Sequence, residues 1–523
     1  MKRNSGASYG DKDPVFALAT GLSGPLALIR TSGGTSVSGE ERGENAIRLL
    51  SRIFSRPRKL LGTPGGRIIR GWILDRGGKK LDEVLVSVYR APGTYTGEDG
   101  ADISCHGGLA VVRAVTESLK SAGFREALPG EFSFRAFMNG KLDLTRCESV
   151  MELVNAKTET GRDHAAGRLS GLLYREIAEI KELLVAVLAE TELYLDYDEG
   201  EAGGGSVPGP GLPGRNRAGE GLARLRALAD SWRTERLYQE GALAVIAGRP
   251  NAGKSSLFNL LLKEERSIVT DSPGTTRDWI EAALSVEGIP LRLADTAGLR
   301  EQEGGIGAGP GGSTDRHGTD RPGTDQFDAD RQGTAGIDQA EGIGIRRSRE
   351  LIDRADLVIY VIDGKAGFGA GDAEFLRDLR AKNTPFILLW NKADLAAPPE
   401  GSAAGNLLPV SAKTGLGTAG LIRAIGAALQ APAGSDGTVE AAGAAAETAL
   451  LWGSGLGSAR QKGLADAAIA ALEEALGLAD SGEPLDLIAP LLREGVNALG
   501  EITGEVSTAD ILETMFSRFC VGK

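Results

Sequence analysis

Cysteine is nearly missing from this chain: Cys105, Cys147 and Cys520 are the only three in 523 residues. So few thiols, so far apart, exclude a disulfide-framed fold and point to a reducing compartment. Aromatic residues make up only 5% of the sequence, so the core must be aliphatic. No apolar run approaches the ~18 residues that a membrane span needs. The opening MKRNSGASYGDKD carries basic residues but no apolar segment, unlike a secretory signal. An excess of positive charge is absent too: 59 Lys and Arg face 71 Asp and Glu, giving a net charge of −12. The chain as a whole therefore repels nucleic acid, and any RNA contact needs a local basic patch or a partner protein. These absences lead to the expectation of a soluble cytoplasmic protein with no membrane association.

What is present is length and pattern. The chain is long enough for two to four domains. Residues 1–148 mix strands (VFALAT, LALIR, VLVSVYR) with helices near 46–54 and 110–122, the pattern of an α+β domain. Within it YTGED, CHGG and LPGEFSFRAFMNGKLDL crowd polar residues and glycines between strands, which suggests a site or turn chemistry. Residues 149–240 read as helical, interrupted by a flexible Gly- and Pro-rich break at 199–214. Residues 241–431 alternate strand and helix, which predicts a doubly wound parallel sheet. Inside that stretch 301–340 repeats DRHGT, DRPGT and DRQGT without apolar periodicity, and reads as a disordered insertion. Residues 432–523 open on a linker and close as helix, so one helical bundle is expected to flank the inserted α/β domain.

The chemistry concentrates in GALAVIAGRPNAGKS, residues 241–255. An apolar strand runs into G-x-x-x-x-G-K-S and then a helix, the layout of a phosphate-binding loop. Its backbone N–H groups at Asn251, Ala252, Gly253 and the following helix start face an anion. Lys254 supplies a point charge and Ser255, followed by Ser256, offers a hydroxyl to Mg²⁺. Further motifs follow at strand ends, where such sheets bind ligands. PGTTRD (Pro273 to Asp278, with Gly274, Thr275 and Thr276) offers Thr276 as a second Mg²⁺ ligand and γ-phosphate sensor. DTAG (Asp295, Thr296, Ala297, Gly298) reaches the metal shell and the γ-phosphate. NKAD (Asn391, Lys392, Asp394) selects guanine, because one carboxylate accepts from both ring N–H and exocyclic amine. SAK (Ser411, Ala412, Lys413) backs the base. In this order they predict a GTP site. Leu299 stands where many GTPases carry a water-orienting glutamine. Glu341 is the best-placed substitute, or else a solvated glutamate. Asn251 either helps hold a monovalent cation or only shapes the turn.

With those residues in view, the whole chain resembles the MnmE (also TrmE) family of tRNA-modification GTPases. YTGED, the HGG after Ile103, PGEFSFRAF, GRPNAGKSSL, TDSPGTTRD, DTAGLRE, GIGI and the terminal FCVGK carry the likeness. The resemblance implies a folate-binding-like N-terminal domain that forms a homodimer, and a flavin-dependent partner of the MnmG type in a heterotetramer. It implies K⁺-stimulated GTP hydrolysis coupled to placing an aminomethyl or carboxymethylaminomethyl group on C5 of the wobble uridine of certain tRNAs. The one-carbon donor would be a tetrahydrofolate, in its 5,10-methylene or 5-formyl form. By the same likeness Asn251, Thr270, Ser272 and Thr275 surround K⁺, and Ser255 and Thr276 hold Mg²⁺. Glu341 becomes the catalytic glutamate. Arg30, Asp102, Lys141 and Lys523 contact folate, and Cys520 is a reactive cysteine or a small buried apolar residue. The chain departs from the family pattern in having Asp102 for a glutamate, in lacking a proline–glycine–arginine run before Arg30, and in the 301–340 insertion. Two rivals use the same motifs. One is a GTP-binding switch in ribosome or RNA assembly without modification chemistry. The other is a structural paralogue that has lost folate.

Overall fold

The computed structural model describes residues 9, 13–21, 24–34, 45–196, 211–264, 281–295, 349–382, 384–399, 407–431 and 453–522. The chain divides into two compact units, Met1–Val154 with Ala165–Asp230 and Gly453–Lys523, and Asn155–His164 with Ser231–Trp452.

The first unit is built on a six-stranded sheet. Its strands are β1 (Val15–Leu18), β2 (Leu26–Ser32), β3 (Arg67–Leu74), β4 (Lys80–Tyr89), β5 (Gly100–His106) and β6 (Arg125–Glu126), in the order β3-β4-β5-β2-β1-β6. All neighbours are antiparallel except β1 and β6. Strand β4 shows why it forms: Val84, Val86 and Val88 alternate inward while Leu85 and Tyr89 stay exposed. The helices Ala46–Arg52 and Leu109–Ala122 send Ile47, Leu50, Val115 and Leu119 onto the inward side, in one core with Val86 and Ile103. The first helix starts where the Asn45 side chain accepts from the Arg48 N–H at 2.8 Å, filling an otherwise open donor.

Helical segments follow the sheet: Leu144–Asn155, Leu172–Asp196, Ala459–Asp480, Leu485–Thr503 and Ala509–Phe516. The buried carboxylate of Glu148 ties the first of them to the C-terminal bundle. It accepts from Arg460 Nε at 2.7 Å, Ser458 Oγ at 3.0 Å and the Gln461 side-chain amide. No described helix is long and apolar enough to cross a membrane.

The second unit carries β7 (Ala242–Gly248), β8 (Glu281–Val286), β9 (Ile289–Asp295), β10 (Leu357–Asp363), β11 (Phe386–Asn391) and β12 (Leu407–Pro409), ordered β12-β11-β10-β7-β9-β8. Strands β7 and β10 are continuous apolar runs because helices cover both faces of a parallel sheet. The expectation of a wholly parallel sheet needs one correction: the edge strand β8 is antiparallel to β9. Only Glu287 and Gly288 join the two, at φ +49° and +83°. Two positive φ values in a two-residue loop make a tight hairpin turn that reverses the chain. The insertion at 301–340 and most of the break at 199–214 lie outside the described residues.

Candidate nucleotide site and a second polar cluster

Strand β7 delivers the chain at Gly248 into the loop 249–253, and the helix Lys254–Glu264 leaves it. Asn251 sits at φ +62° and Gly253 at φ +93°, so successive N–H groups turn toward the loop centre. A Cβ on Gly253 would lie 2.2 Å from Asn391 Nδ2, which makes any side chain there a clash as well as a backbone strain. The Lys254 ammonium donates to the carbonyls of Gly248 at 3.0 Å and Arg249 at 2.9 Å, which holds it over the loop. Ser255 Oγ donates to Asp295 Oδ2 at 2.8 Å, from the end of β9. A hydroxyl and a carboxylate converging beside a phosphate loop are hard oxygen donors, the set that Mg²⁺ prefers. Ser255 and Ser256 are both exposed at the helix start.

The base-selecting side is braced by one residue. Asn391, at the end of β11, is 2% exposed. Its Nδ2 donates to the Ala252 carbonyl at 2.7 Å, and its Oδ1 accepts from the Ala412 N–H at 3.0 Å. One side chain thus joins the phosphate loop to the NKAD and SAK loops. Lys392, at φ +63°, reaches back to the Asn251 carbonyl at 3.1 Å and to Asp363 Oδ2 at 2.7 Å. Desolvation would raise the Asp363 carboxyl, but the Lys392 ammonium and the Lys365 N–H outweigh it and carry the group below the usual carboxylate range. Asp394 stays exposed, and Ser411 is buried with its Oγ accepting from Thr414 N at 3.2 Å. Lys413 is exposed. Motif matching missed Asp363 and the bracing by Asn391. The signal for Asp363 was its place at the end of β10, next to the strand that ends in Asn391. Thr270, Asp271, Ser272, Pro273, Gly274, Thr275, Thr276, Thr296, Ala297, Gly298, Glu341 and Lys523 lie outside the described residues.

A second polar cluster lies in the first unit. Arg30 on β2 stands directly opposite Asp102 on β5. Arg30 Nε lies 3.1 Å from Asp102 Oδ1, and Tyr89 on β4 donates to Asp102 Oδ2 at 3.3 Å. Burial first, then the Asp102 charge, raises the Tyr89 hydroxyl above its ordinary value, so it remains a donor. The C-terminal tail arrives here: the Gly522 carbonyl accepts from Arg30 Nη1 at 3.2 Å. Upstream, the Cys520 carbonyl accepts from Gly130 N at 3.1 Å. Gly130 sits at φ +66°, where a Cβ would lie 2.7 Å from the Phe516 carbonyl, so glycine is required for the tail to dock. Arg30 and Asp102 are partners of each other, so an acidic ligand competes with Asp102 for that guanidinium. Lys141 is exposed and makes no ion pair with a described residue. Cys520 is exposed, which overturns its alternative reading as a small buried residue.

Two of the three polar motifs also meet. Arg135 of the PGEFSFRAF run lies 3.0 Å from Glu98 of YTGED, and Ser32 Oγ donates to that same Glu98 at 2.8 Å. Tyr95 and Ser133 hydroxyls are 2.9 Å apart. CHGG stands apart at the far end of β5, where His106 Nδ1 lies 2.7 Å from Asp82 Oδ1.

Residues 144–520 match the model of the MnmE helical domain, and residues 14–141 match that of the GTP-binding protein TrmE N-terminus. The tRNA modification GTPase MnmE of Treponema denticola is 40% identical over 98% of this chain and 99% of that protein. Its namesake from Parasynechococcus marenigrum is 36% identical, again over 98% of this chain and 99% of that protein. Among solved structures, Aquifex aeolicus Era bound to GDP and aluminium fluoride is 22% identical over 35% of this chain and 55% of its own, at a TM-score of 0.22. A probable GTP-binding protein engB is 21% identical over 36% of this chain and 98% of its own, at a TM-score of 0.23.

Proposed function

The chain belongs to the MnmE family of tRNA-modification GTPases, a GTP hydrolase acting in tRNA modification, and on that premise we propose how its own residues divide the work. GTP lies along the phosphate loop with Lys254 at its terminal phosphates and Asp394 on the guanine edge. Ser255 and Thr276 hold Mg²⁺, and the Ser255–Asp295 contact supports that set. Mg²⁺ would offset charge on the phosphate oxygens. K⁺, held by Asn251, Thr270, Ser272 and Thr275, would supply the positive charge for which other GTPases use an arginine finger. Glu341 orients the attacking water, since Leu299 has no group to do so.

The second half of the proposal concerns the modification. Two chains pair through their N-terminal domains. With a flavin-dependent protein of the MnmG type they place an aminomethyl or carboxymethylaminomethyl group on C5 of a wobble uridine. Arg30, Asp102, Lys141 and Lys523 hold a tetrahydrofolate: arginine and lysine suit the carboxylates of its tail, and Asp102 suits the N–H groups of its pterin. Cys520 stands at the same end of the chain. The observation that carries this half is the Gly522–Arg30 contact at 3.2 Å. It brings the FCVGK tail, for which GTP hydrolysis has no use, onto the Arg30–Asp102 pair.

The test is GTP hydrolysis in KCl against NaCl at equal ionic strength, with wild type and Glu341→Ala. A strong K⁺ preference with activity lost in the variant is expected. Equal rates in both salts would reduce Asn251 to a turn residue and sink the cation mechanism.

A further inference from the structure

The acidic chain contains one strongly basic stretch. Residues 48–80 hold ten Arg or Lys and a single acid, Asp75, in a protein whose net charge is −12. All ten cations are exposed. Folding gathers most of them along one rim of the first unit. Strand β3 is an edge of its sheet, and residues 53–55 lie against its outer side: Leu74 N donates to Ile53 O at 2.8 Å and Ser55 N to Trp72 O at 2.9 Å. Arg56 therefore flanks the strand that carries Arg67 and Arg70, while the Arg52 Nη1 donates to the Ala122 carbonyl at 3.1 Å. The short helix Pro57–Gly62, with Arg58 and Lys59, follows directly, and the β3–β4 turn adds Arg76 and Lys79. Asp75 keeps its single negative charge within this rim, where its Oδ1 accepts from the N–H groups of Gly77 at 2.8 Å and Lys79 at 2.9 Å to close that turn, and one carboxylate leaves the rim strongly positive. Arg70 pairs with Glu83 at 2.8 Å, but both are exposed and such a pair is readily exchanged for another anion.

We propose that this rim contacts the phosphate backbone of tRNA. The proposal rests on the reading of the chain as a tRNA-modification GTPase and adds where the RNA lies. Strand β3 spans about 26 Å at ~3.3 Å per residue. At physiological salt the Debye length is ~8 Å, so a phosphate at the rim feels the cations nearest it and little of the acidic surface further away. Seven of the ten cations are arginine, whose planar fork matches phosphate oxygens in pairs. An acidic protein that must hold RNA needs its positive field concentrated in this way, because the global field opposes the encounter.

The experiment measures binding of full-length protein to an unmodified tRNA by fluorescence anisotropy across KCl concentrations. One variant carries Arg56→Glu, Arg58→Glu and Lys59→Glu, and a second carries Arg76→Glu and Lys79→Glu. A third carries Arg56→Lys and Arg58→Lys. The two reversals are expected to weaken tRNA at least tenfold and to flatten the slope of log affinity against log salt, by up to about 0.9 for each phosphate no longer neutralised. The lysine variant should keep most of the binding, and the GTPase rate without RNA should hold in all three, which also shows that they fold. Wild-type affinity and slope in both reversals would overturn the proposal, as would a wild-type chain that ignores tRNA at low salt. Either failure leaves the GTPase reading standing, since that is read from hydrolysis. Capture by phosphatidylserine vesicles that depends on these residues, with tRNA binding unchanged, would overturn it in favour of a membrane surface.

Discussion

Replacing Asn391 tests whether one side chain holds the GTP site together. In the folded chain its amide spans 139 residues of sequence to reach Ala252 and also caps the Ala412 N–H. Asn391→Ala leaves a buried carbonyl and a half-buried N–H without their partner. Each such loss costs roughly 1–3 kcal/mol, so about 2–6 kcal/mol is at stake if neither group finds water. Asn391→Asp separates the two effects. It keeps the acceptor for Ala412 but sets a carboxylate oxygen against the Ala252 carbonyl, in place of a donor. Both variants should loosen the phosphate loop relative to the base loops. We expect a labelled GDP to bind 10- to 100-fold more weakly to each, a penalty of about 1.4–2.8 kcal/mol. Thermal unfolding run alongside separates weakened affinity from a weakened fold. The nucleotide should partly restore the midpoint of the Asp variant, because binding to the native state stabilises it by mass action. Nucleotide affinity within twofold of wild type in Asn391→Ala would refute the strap, and the two loops would then be placed by their strands alone.

Glu148→Ala should destabilise the first unit by about 1–3 kcal/mol, since the half-buried Arg460 guanidinium and the buried Gln461 amide both lose their carboxylate; denaturant unfolding that shifts by less than about 0.5 kcal/mol would show that water takes the carboxylate's place. The thiols should react unequally. Burial first, then the Asp82 charge, pushes the Cys105 thiol up to about 11 from an ordinary 9.0, and burial also raises Cys147, while Cys520 is exposed. One fast thiol is therefore expected with an aromatic disulfide reagent at pH 8, and three after denaturation; loss of the fast phase in Cys520→Ser identifies it. The sign of the linked stability follows from the same shift. Above pH 9 the unfolded chain releases the Cys105 proton and the folded chain keeps it, so stability falls as pH climbs from 9 through 11. A stability curve flat over that range would count against the burial of Cys105.

The nucleotide-binding unit was legible because its motifs are short and contiguous. A phosphate is gripped by successive backbone N–H groups, so the loop must be written as consecutive residues between a strand and a helix. The long helices were legible for a similar reason, as apolar spacing repeats within each segment. Edge strand β8 was not, because its direction depends on the two residues Glu287 and Gly288, whose positive φ values outweigh any apolar pattern. Strand β5 was hidden in motifs that look like loop chemistry, since Asp102, Ser104 and His106 alternate with apolar neighbours on a sheet with one covered face.

By itself the sequence determined the phosphate-binding loop, the alternation of strand and helix that follows it, and the family. Those properties are set by local backbone geometry and by residues a few positions apart. Only the tertiary structure decided that Arg30 is already partnered by Asp102, that the tail 492 residues away ends against it, and that Asn391 ties two distant loops together. It also turned a run of scattered cations into one rim. Interactions of this kind are made by side chains whose separation is fixed by strand pairing and core packing, and no spacing along the chain encodes them.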